Sequence, residues 1–315
     1  MKTRWALGID TSNYTTSAAL FDGTRALQKK ALLPVKPGTL GLRQSDALFH
    51  HTVRLPALLE ELLCEAGDSG TGEISAVGVS DRPRAAEGSY MPCFLAGVSA
   101  AQGIAAALRV PCGKYSHQQG HLAAALFSAR RLDLLKGEFL AVHASGGTTE
   151  VLRVAPGLQA ACVCATADLH AGQLLDRVGV LLGYDFPAGA ALDRLAHAGA
   201  PARKIKVSAD GGGWHLSGVE NQCGRMLERG AAREDIARFC MESVAAALLD
   251  MMDRAADQCG NLPLLCAGGV CCSEWIRART GEKYPGAMFA QPAFSADNAA
   301  GAAILAYHQI ESVHV

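Results

Sequence analysis

The sequence predicts an α/β layer fold built from two copies of one domain, and three observations predict it. The chain has 315 residues, room for about two domains of ordinary size. Three strand patterns near the N-terminus precede alternating helix and strand patterns, an order typical of layered α/β folds. The segment LGIDTSNYTT at residues 7–16 recurs as LAVHASGGTT at residues 140–149.

The first half supplies a strand meander followed by mixed elements. The dipeptide Asp22-Gly23 is a hairpin signal after the second strand. The longest apolar run, Phe94–Leu108, is shorter than the ~18 residues of a membrane span and predicts a buried helix. The predicted elements are strands Trp5–Asp10, Ser17–Phe21 and Leu27–Leu33, helix Ser45–Ala66, strand Ile74–Val79, helix Phe94–Leu108, strand Cys112–Tyr115 and helix Gly120–Ala129.

The second half repeats the opening and then adds helices. Ser12 aligns with Ser145, and the Thr-Thr pair that follows Ser12 also recurs. This indicates a duplicated domain, with chance similarity between two strand–turn–strand units as the alternative. The predicted elements are strand Glu150–Val154, helices Ala171–Leu182 and Ala190–Ala198, a glycine-rich loop at Gly211–Gly213, helix Glu234–Gln258, strands Leu262–Cys266 and Met288–Ala290, and a final helix from Asn298.

Composition narrows the class of protein. Half of the residues are hydrophobic and 19% are charged, which excludes a disordered chain. The net charge of −1 lacks the basic surplus of a protein that binds nucleic acid unaided, so RNA contact would be local or assisted by a partner. The opening MKTRWALGID is unlike a signal peptide, so we expect a cytoplasmic protein without membrane contact, whose eleven cysteines are reduced and mostly buried.

Three turns place small residues and hydroxyls where backbone N–H groups can approach phosphate: Thr11–Thr16, Ala144–Thr149 and Ala267–Val270. Each alone is often only a turn after a strand. Together they predict a nucleotide cleft between two lobes, with Ser12, Thr15, Gly268 and Gly269 as candidate phosphate contacts. Neither a P-loop nor a G-x-G-x-x-G fingerprint follows the opening strand.

His117 and His121, in the segment SHQQGH, are the clearest pair of candidate metal ligands that lie close together in the sequence. A spacing of four puts both imidazoles on one side of a helix, where they can share a metal ion or serve as ordinary packing residues. Gln118 occupies the Glu position of H-E-x-x-H, which argues against a zincin-type protease.

Several aspartates could add a carboxylate to such a site. Asp297, in FSADNAAGAA, stands before a predicted helix, where it would act as an N-cap or as a metal ligand. Asp10, Asp176 and Asp193 are further candidates. Asp176 would face a cleft or pair with Arg177.

The order of the motifs LGIDTS, SHQQGH, SGGTT, HAGQLLDRVGVLLGYDFPAG, CAGGV and SADNAAGAA resembles the catalytic subunit of tRNA threonylcarbamoyladenosine synthase, a family formerly called sialoglycoprotein endopeptidase. The resemblance implies the duplicated actin/Hsp70-like nucleotide-binding fold. It implies one lobe from residues 1–125 with a returning C-terminal helix at 298–315, and a second lobe from residues 126–297. It also implies a transferase, with dimer formation through the first lobe.

The resemblance also implies the site residues. His117, His121 and Asp297 match the metal ligands of the family, for one divalent ion at the interlobe cleft, Fe or Zn. His143, Ala144, Ser145, Gly146, Gly147, Asp176, Gly189 and Ser273 match positions that contact the substrate. That substrate is an adenine nucleotide, threonylcarbamoyl-adenylate, and the acceptor is an adenosine of tRNA reached with partner proteins.

The sequence departs from the family at positions that we expect around the substrate. They are Asn13-Tyr14-Thr15, the segment Asp81–Pro92, Gln119, Thr148, Trp214–Glu220 and Ser273. These departures resemble those of a divergent paralogue with an altered donor or acceptor pocket. A transferase is therefore favoured, with a carbamoyltransferase acting on another acceptor and a non-catalytic nucleotide-binding scaffold as alternatives, while a peptidase has no supporting chemistry.

Overall fold

The computed structural model describes residues 3–12, 14–34, 42–68, 72–202, 204–211, 213–295 and 297–311. Asn13 and Gly212, which the sequence singled out, lie outside these ranges. The chain divides into two compact units, the first formed by Met1–Phe127 with Ala296–Val315 and the second by Ser128–Ser295.

The first unit is built on a five-stranded sheet of order β3-β2-β1-β4-β5. The three leading strands form an antiparallel meander, and the last two run parallel to β1. The strands are β1 Thr3–Ser12, β2 Thr15–Phe21, β3 Ala26–Leu32, β4 Gly72–Arg82 and β5 Cys112–Ser116.

Helices cover both faces of this sheet. They are α1 Gln44–Asp68, α2 Phe94–Leu108, α3 His117–Ser128 and α10 Ala300–Glu311, numbered in chain order. Successive side chains of a strand point to opposite faces, so Leu7 and Ile9 pack towards α1 and α2, while Ala6 packs towards α10. The prediction that α2 is a buried helix is wrong for one of its faces, because Leu95 and Leu108 are exposed.

The second unit repeats this strand arrangement, in the order β12 (Met288–Phe289), β11 (Leu264–Ala267), β6 (Phe139–Ala144), β7 (Thr149–Ala155) and β8 (Gln159–Ala165). Its three leading strands again form an antiparallel meander, and the last two are parallel to β6. The registers also correspond, since Thr11 pairs with Thr16 and Ala144 with Thr149. Strand order and register together favour duplication over chance similarity.

The remaining elements of the second unit pack mainly around the long helix α7, whose apolar side carries Ile236, Val244, Leu248 and Met251. The elements are β6 Phe139–Ala144, β7 Thr149–Ala155, β8 Gln159–Ala165, α4 Ala171–Leu181, α5 Gly189–Ala196, β9 Ser208–Asp210, β10 Gly213–His215, α6 Ser217–Glu228, α7 Arg233–Cys259, β11 Leu264–Ala267, α8 Glu274–Lys283, β12 Met288–Phe289 and α9 Pro292–Ser295, with short 3-10 helices at Leu132–Lys136 and Gly269–Cys272.

The sequence patterns missed β8, α6 and α8. Helix α8 carries little apolar periodicity, and α6 has only a short apolar side, formed by Val219, Cys223, Met226 and Leu227. β8 is an edge strand that is largely exposed, and only Cys223 of α6 is fully buried. All eleven cysteines are free thiols, and five of them are buried rather than most. Within the described ranges, no helix has the length and apolarity needed to cross a bilayer.

Candidate metal centre and nucleotide-binding loop

The start of α3 sets the geometry of the histidine pair. The helix begins at His117, earlier than the predicted Gly120, because Ser116 and Gln119 form a capping box. The Gln119 side chain accepts from the Ser116 N–H at 2.9 Å, and the Ser116 hydroxyl accepts from the Gln119 N–H at 3.2 Å. Glutamine at position 119 thus performs the capping that glutamate performs in this motif. Both histidines therefore lie within the first turns of one helix.

The two imidazoles converge on one point. The Nε2 atoms of His117 and His121 are 2.8 Å apart, and both side chains are largely buried. The Asp297 Oδ1 atom lies 3.4 Å from the first of these nitrogens and 3.3 Å from the second. The three ligand atoms all lie within 4.8 Å of one another. The group fits a divalent ion that takes nitrogen and oxygen ligands.

A close approach of two helices brings Asp297 to the histidines. A Cβ atom on Gly301 would lie 1.8 Å from the Gly120 carbonyl oxygen, so α10 can meet α3 here only because position 301 has no side chain. Asn298, rather than Asp297, caps α10 by accepting from the Ala300 N–H at 3.1 Å. The Asp297 carboxylate is therefore not used as the helix cap, which was its alternative role.

Buried groups behind the three donors hold them in place. Asp10 Oδ2 lies 2.8 Å from His117 Nδ1, and Asp10 is only 1% exposed. Its other oxygen accepts from the Ser12 N–H at 2.9 Å. The Thr15 hydroxyl donates to Asp297 Oδ2 at 3.3 Å. A carboxylate on the second nitrogen of a ligating histidine is the usual support for a metal ligand.

The burial and the neighbouring charges of these side chains shift their pKa values. Burial alone would lower the pKa of His117, but the Asp10 and Asp297 carboxylates raise that pKa to about 10. Burial would raise the pKa of Asp297, but its contacts with both imidazoles hold it well below its usual range. His51, whose Nδ1 is 2.8 Å from the Thr16 hydroxyl, is different: burial lowers its pKa to about 4, so its ring is neutral.

The corresponding turn in the second unit is open. The Ser145 N–H donates to the Thr148 carbonyl at 2.7 Å, which closes a tight loop. A Cβ atom on Gly146 or Gly147 would meet nothing within 4 Å. On the other side, Gly268 has a φ of +95° and a virtual Cβ only 2.3 Å from the Ala144 carbonyl oxygen. The turn at Ala267–Val270 therefore packs directly against the start of this loop.

The structure gives the other predicted substrate contacts definite local roles. Asp176 Oδ1 accepts from the N–H groups of Ala188 at 2.8 Å and Gly189 at 3.2 Å, and so caps α5. The Ser273 hydroxyl accepts from the Ile276 N–H and caps α8. Arg177 pairs with Glu220 at 3.2 Å, so the predicted alternative of an Asp176–Arg177 pair is wrong.

The remaining candidates lie in or next to the strands. His143 is partly exposed in β6 opposite Glu150. Ser12 and Thr15 are buried in the first unit, and Gly269 begins a short 3-10 helix. Asp193, which the sequence also offered as a carboxylate, accepts from the Glu274 N–H at 3.0 Å.

Within the second unit, a cavity of about 1000 Å³ adjoins the open loop. Its wall includes Gly146 of the loop, Asp176 and Arg177 of α4, and Glu220 and Arg225 of α6. Sequence patterns missed the Arg177–Glu220 pair because the two residues are far apart in the chain, and they missed Asp10 as the partner of His117 for the same reason.

Comparison with known proteins decides the family. The model of the family TsaD, described as tRNA N6-adenosine threonylcarbamoyltransferase, matches residues 37–304. The enzyme of that name from Thermus thermophilus is 30% identical over 98% of this chain and 93% of its own length.

The chain belongs to the tRNA N6-adenosine threonylcarbamoyltransferase family. The predicted family and transferase superfamily are thereby confirmed.

Solved structures confirm the duplicated actin/Hsp70-like fold of this family member. HypF from T. kodakarensis matches with a TM-score of 0.63 and 14% identity, over 98% of this chain and 48% of that one. The activator of 2-hydroxyisocaproyl-CoA dehydratase from Clostridium difficile, solved with bound ADPNP, matches with a TM-score of 0.55 and 15% identity, over 98% and 97% of the two chains. At these identities the likeness concerns the fold alone.

Proposed function

We propose that this protein transfers a threonylcarbamoyl or related carbamoyl group from an adenylate to an amine, the acceptor being an adenosine of tRNA. One observation carries the proposal: in a chain of this family, the donors of His117, His121 and Asp297 converge on one point. A scaffold that only bound nucleotide would have no use for such a group.

The three side chains would hold one divalent ion, Fe or Zn, since two imidazoles and a carboxylate suit both and leave positions open for a substrate. When bound, the ion supplies Lewis acidity to the carbamoyl carbonyl. Asp10 fixes the ring of His117 through Nδ1, and Thr15 fixes the orientation of Asp297. These supports keep the donors ready before substrate arrives.

The open loop of the second unit would bind the phosphate of the adenylate. Gly146 and Gly147 leave their backbone without side-chain cover, and the turn at Gly268-Gly269 packs against the same loop. A relative of the same fold carries ADPNP. We include His143, Ala144, Ser145, Asp176, Gly189 and Ser273 among the substrate contacts on the family resemblance. Ser12 and Thr15 are included as phosphate contacts because of the small residues and hydroxyls of their turn.

The tRNA would act through partner proteins in the cytoplasm. The net charge of −1 gives the chain no overall basic surplus, and Arg82, one of the two arginines in the Asp81–Pro92 loop, is paired with Asp81. The first unit exposes large apolar side chains on α1 and α2, with Phe49 at 63% and Val53 at 60%. This surface is where we propose dimer formation, with a further copy or a related protein.

The test supplies threonylcarbamoyl-adenylate, tRNA and the candidate partner proteins to the purified protein and follows both modified nucleoside and released AMP. We expect both products with the unaltered protein and with His50→Ala, a histidine on α1 outside the donor group. We expect neither with His117→Ala.

Three results would separate the alternatives. Release of AMP without nucleoside modification would assign another acceptor amine. Failure to bind any adenine nucleotide would contradict the transferase proposal, and binding of the adenylate without release of AMP or modified nucleoside would favour the scaffold.

A further inference from the structure

The cavity of the second unit has room for more than the phosphate of a ligand. Its volume of about 1000 Å³ is at the upper end of the range for small-molecule sites. Gly146 belongs both to the open loop and to the cavity wall. A nucleotide whose phosphate rests on that loop therefore places the rest of its structure within this cavity, between α4 and α6.

The walls combine apolar surface with charged side chains, among which Arg177 and Glu220 form an ion pair. Phe186 is 76% exposed and Val180 of α4 is 52% exposed, so both offer apolar surface to a flat base. Across from α4, Glu220 of α6 meets Arg177, whose Nη1 atom lies 3.2 Å from Oε2 and 3.5 Å from Oε1. The Arg177 contact holds the Glu220 carboxylate in place at the cavity wall.

A carboxylate held in this way has a defined preference. An ionised glutamate only accepts hydrogen bonds, and its two oxygens offer about four acceptor positions. Arg177 occupies part of these positions, and the others are left for a ligand. Asp176, the neighbouring carboxylate, uses Oδ1 to accept two backbone N–H groups. Glu228 also lines the cavity, at the last residue of α6, but among the described residues no ion pair is found for it. Glu220 is thus the cavity carboxylate that is held by a cation and partly exposed, and it is placed to receive donors from a ligand.

We propose that Glu220 is a specificity-determining residue that accepts hydrogen bonds from the exocyclic 6-amino group of the adenine base, with Arg177 as its positioning residue. The inference rests on the proposed function, in which an adenylate is the ligand. Hypoxanthine carries a 6-oxo acceptor in place of this exocyclic donor, so it would turn an acceptor towards the carboxylate, and its N1–H donor lies at a different position on the ring edge. A site built to bond a ligand N–H rejects the analogue that lacks it, because the polar group of the protein is left unpaired.

The experiment measures binding of AMP and IMP by calorimetry to the full chain and to three variants. The unaltered protein should bind AMP at least about 10-fold more tightly than IMP, the loss expected for one unpaired charged acceptor. Glu220→Gln, which keeps one acceptor, should narrow this ratio. Glu220→Lys, which offers donors, should abolish or reverse it. Glu138→Lys makes the same charge change at an exposed ion pair of the same unit and should leave the ratio unaltered.

The outcomes are distinct. Equal affinity for AMP and IMP in the unaltered protein, or a ratio that survives Glu220→Lys, would overturn the role of Glu220 while leaving nucleotide binding in place. Absence of binding of either nucleotide to the unaltered protein would overturn the proposed adenylate ligand, and the inference with it. Thermal unfolding of Glu220→Lys checks its fold, and the Glu220→Gln ratio provides a second reading that does not depend on that variant.

Discussion

The two hairpin turns that begin the two units share strand order and register but differ in what they expose. In the first, Asp10 and Thr15 are buried and bonded to His117 and Asp297. In the second, the matching region carries Gly146 and Gly147, around which space is open. One turn supports the three convergent donors through its side chains. The other leaves its backbone uncovered at Gly146 and Gly147, where we propose that the phosphate binds. The two units share the same strand order and register, and they differ in the few side chains at these turns.

The largest effect is expected when one of the three convergent donors is removed from the first unit. His117→Ala should lose most of the bound metal, because two of the three convergent donors cannot hold the ion alone. Metal content is measured after purification without chelators. His50→Ala should keep its metal, and equal content in both variants would refute the assignment.

Replacement of the buried support tests the first turn itself. Asp10→Asn keeps the size of the side chain but removes the carboxylate from His117 Nδ1. Loss of such a partner should weaken metal affinity about 10–100-fold. Competition with a chelator measures this, and Asp81→Asn, a carboxylate of the same unit paired with Arg82, is the matched control. An unaltered affinity in Asp10→Asn would show that the contact only packs the ring.

A methyl group on the open loop tests the second turn. Gly146→Ala meets no atom within 4 Å, so the unfolding temperature should stay the same. Nucleotide affinity should fall by about 10-fold, because the added Cβ stands between the backbone and the phosphate. Gly286→Ala, an equally open position away from the cavity, should change neither quantity. A loss of thermal stability in Gly146→Ala would mean that the loop is structural instead.

The smallest effect concerns the start of α3. Gln119→Ala should destabilise the protein by about 1 kcal/mol, because it removes half of the capping box. Gln119→Glu should restore the cap and leave stability nearly unaltered. Urea unfolding measures both. If the alanine variant were as stable as the original, the Ser116 hydroxyl alone would suffice to begin the helix.

Local sequence patterns predicted much of this site. They could not predict the rest, because it depends on contacts between residues that are distant in the chain. The spacing of His117 and His121 and the repeated turn are local, so periodicity and self-comparison found them. The capping-box signal Ser116-x-x-Gln119 was also local, but the predicted helix was begun at Gly120 instead. The contact of Asp10 with His117 and the approach of Gly301 to Gly120 join distant parts of the chain, and no local pattern reports them.

The passage of α10 over Gly120 has a consequence for the order in which the protein is made. Two donors of the group, His117 and His121, are synthesised well before Asp297 and Gly301. The second unit, whose residues all precede Ala296, can be complete before the first unit is. A nascent chain therefore completes the Gly146-Gly147 loop before the group formed by His117, His121 and Asp297, and premature termination shortly before Asp297 yields a protein without the third donor.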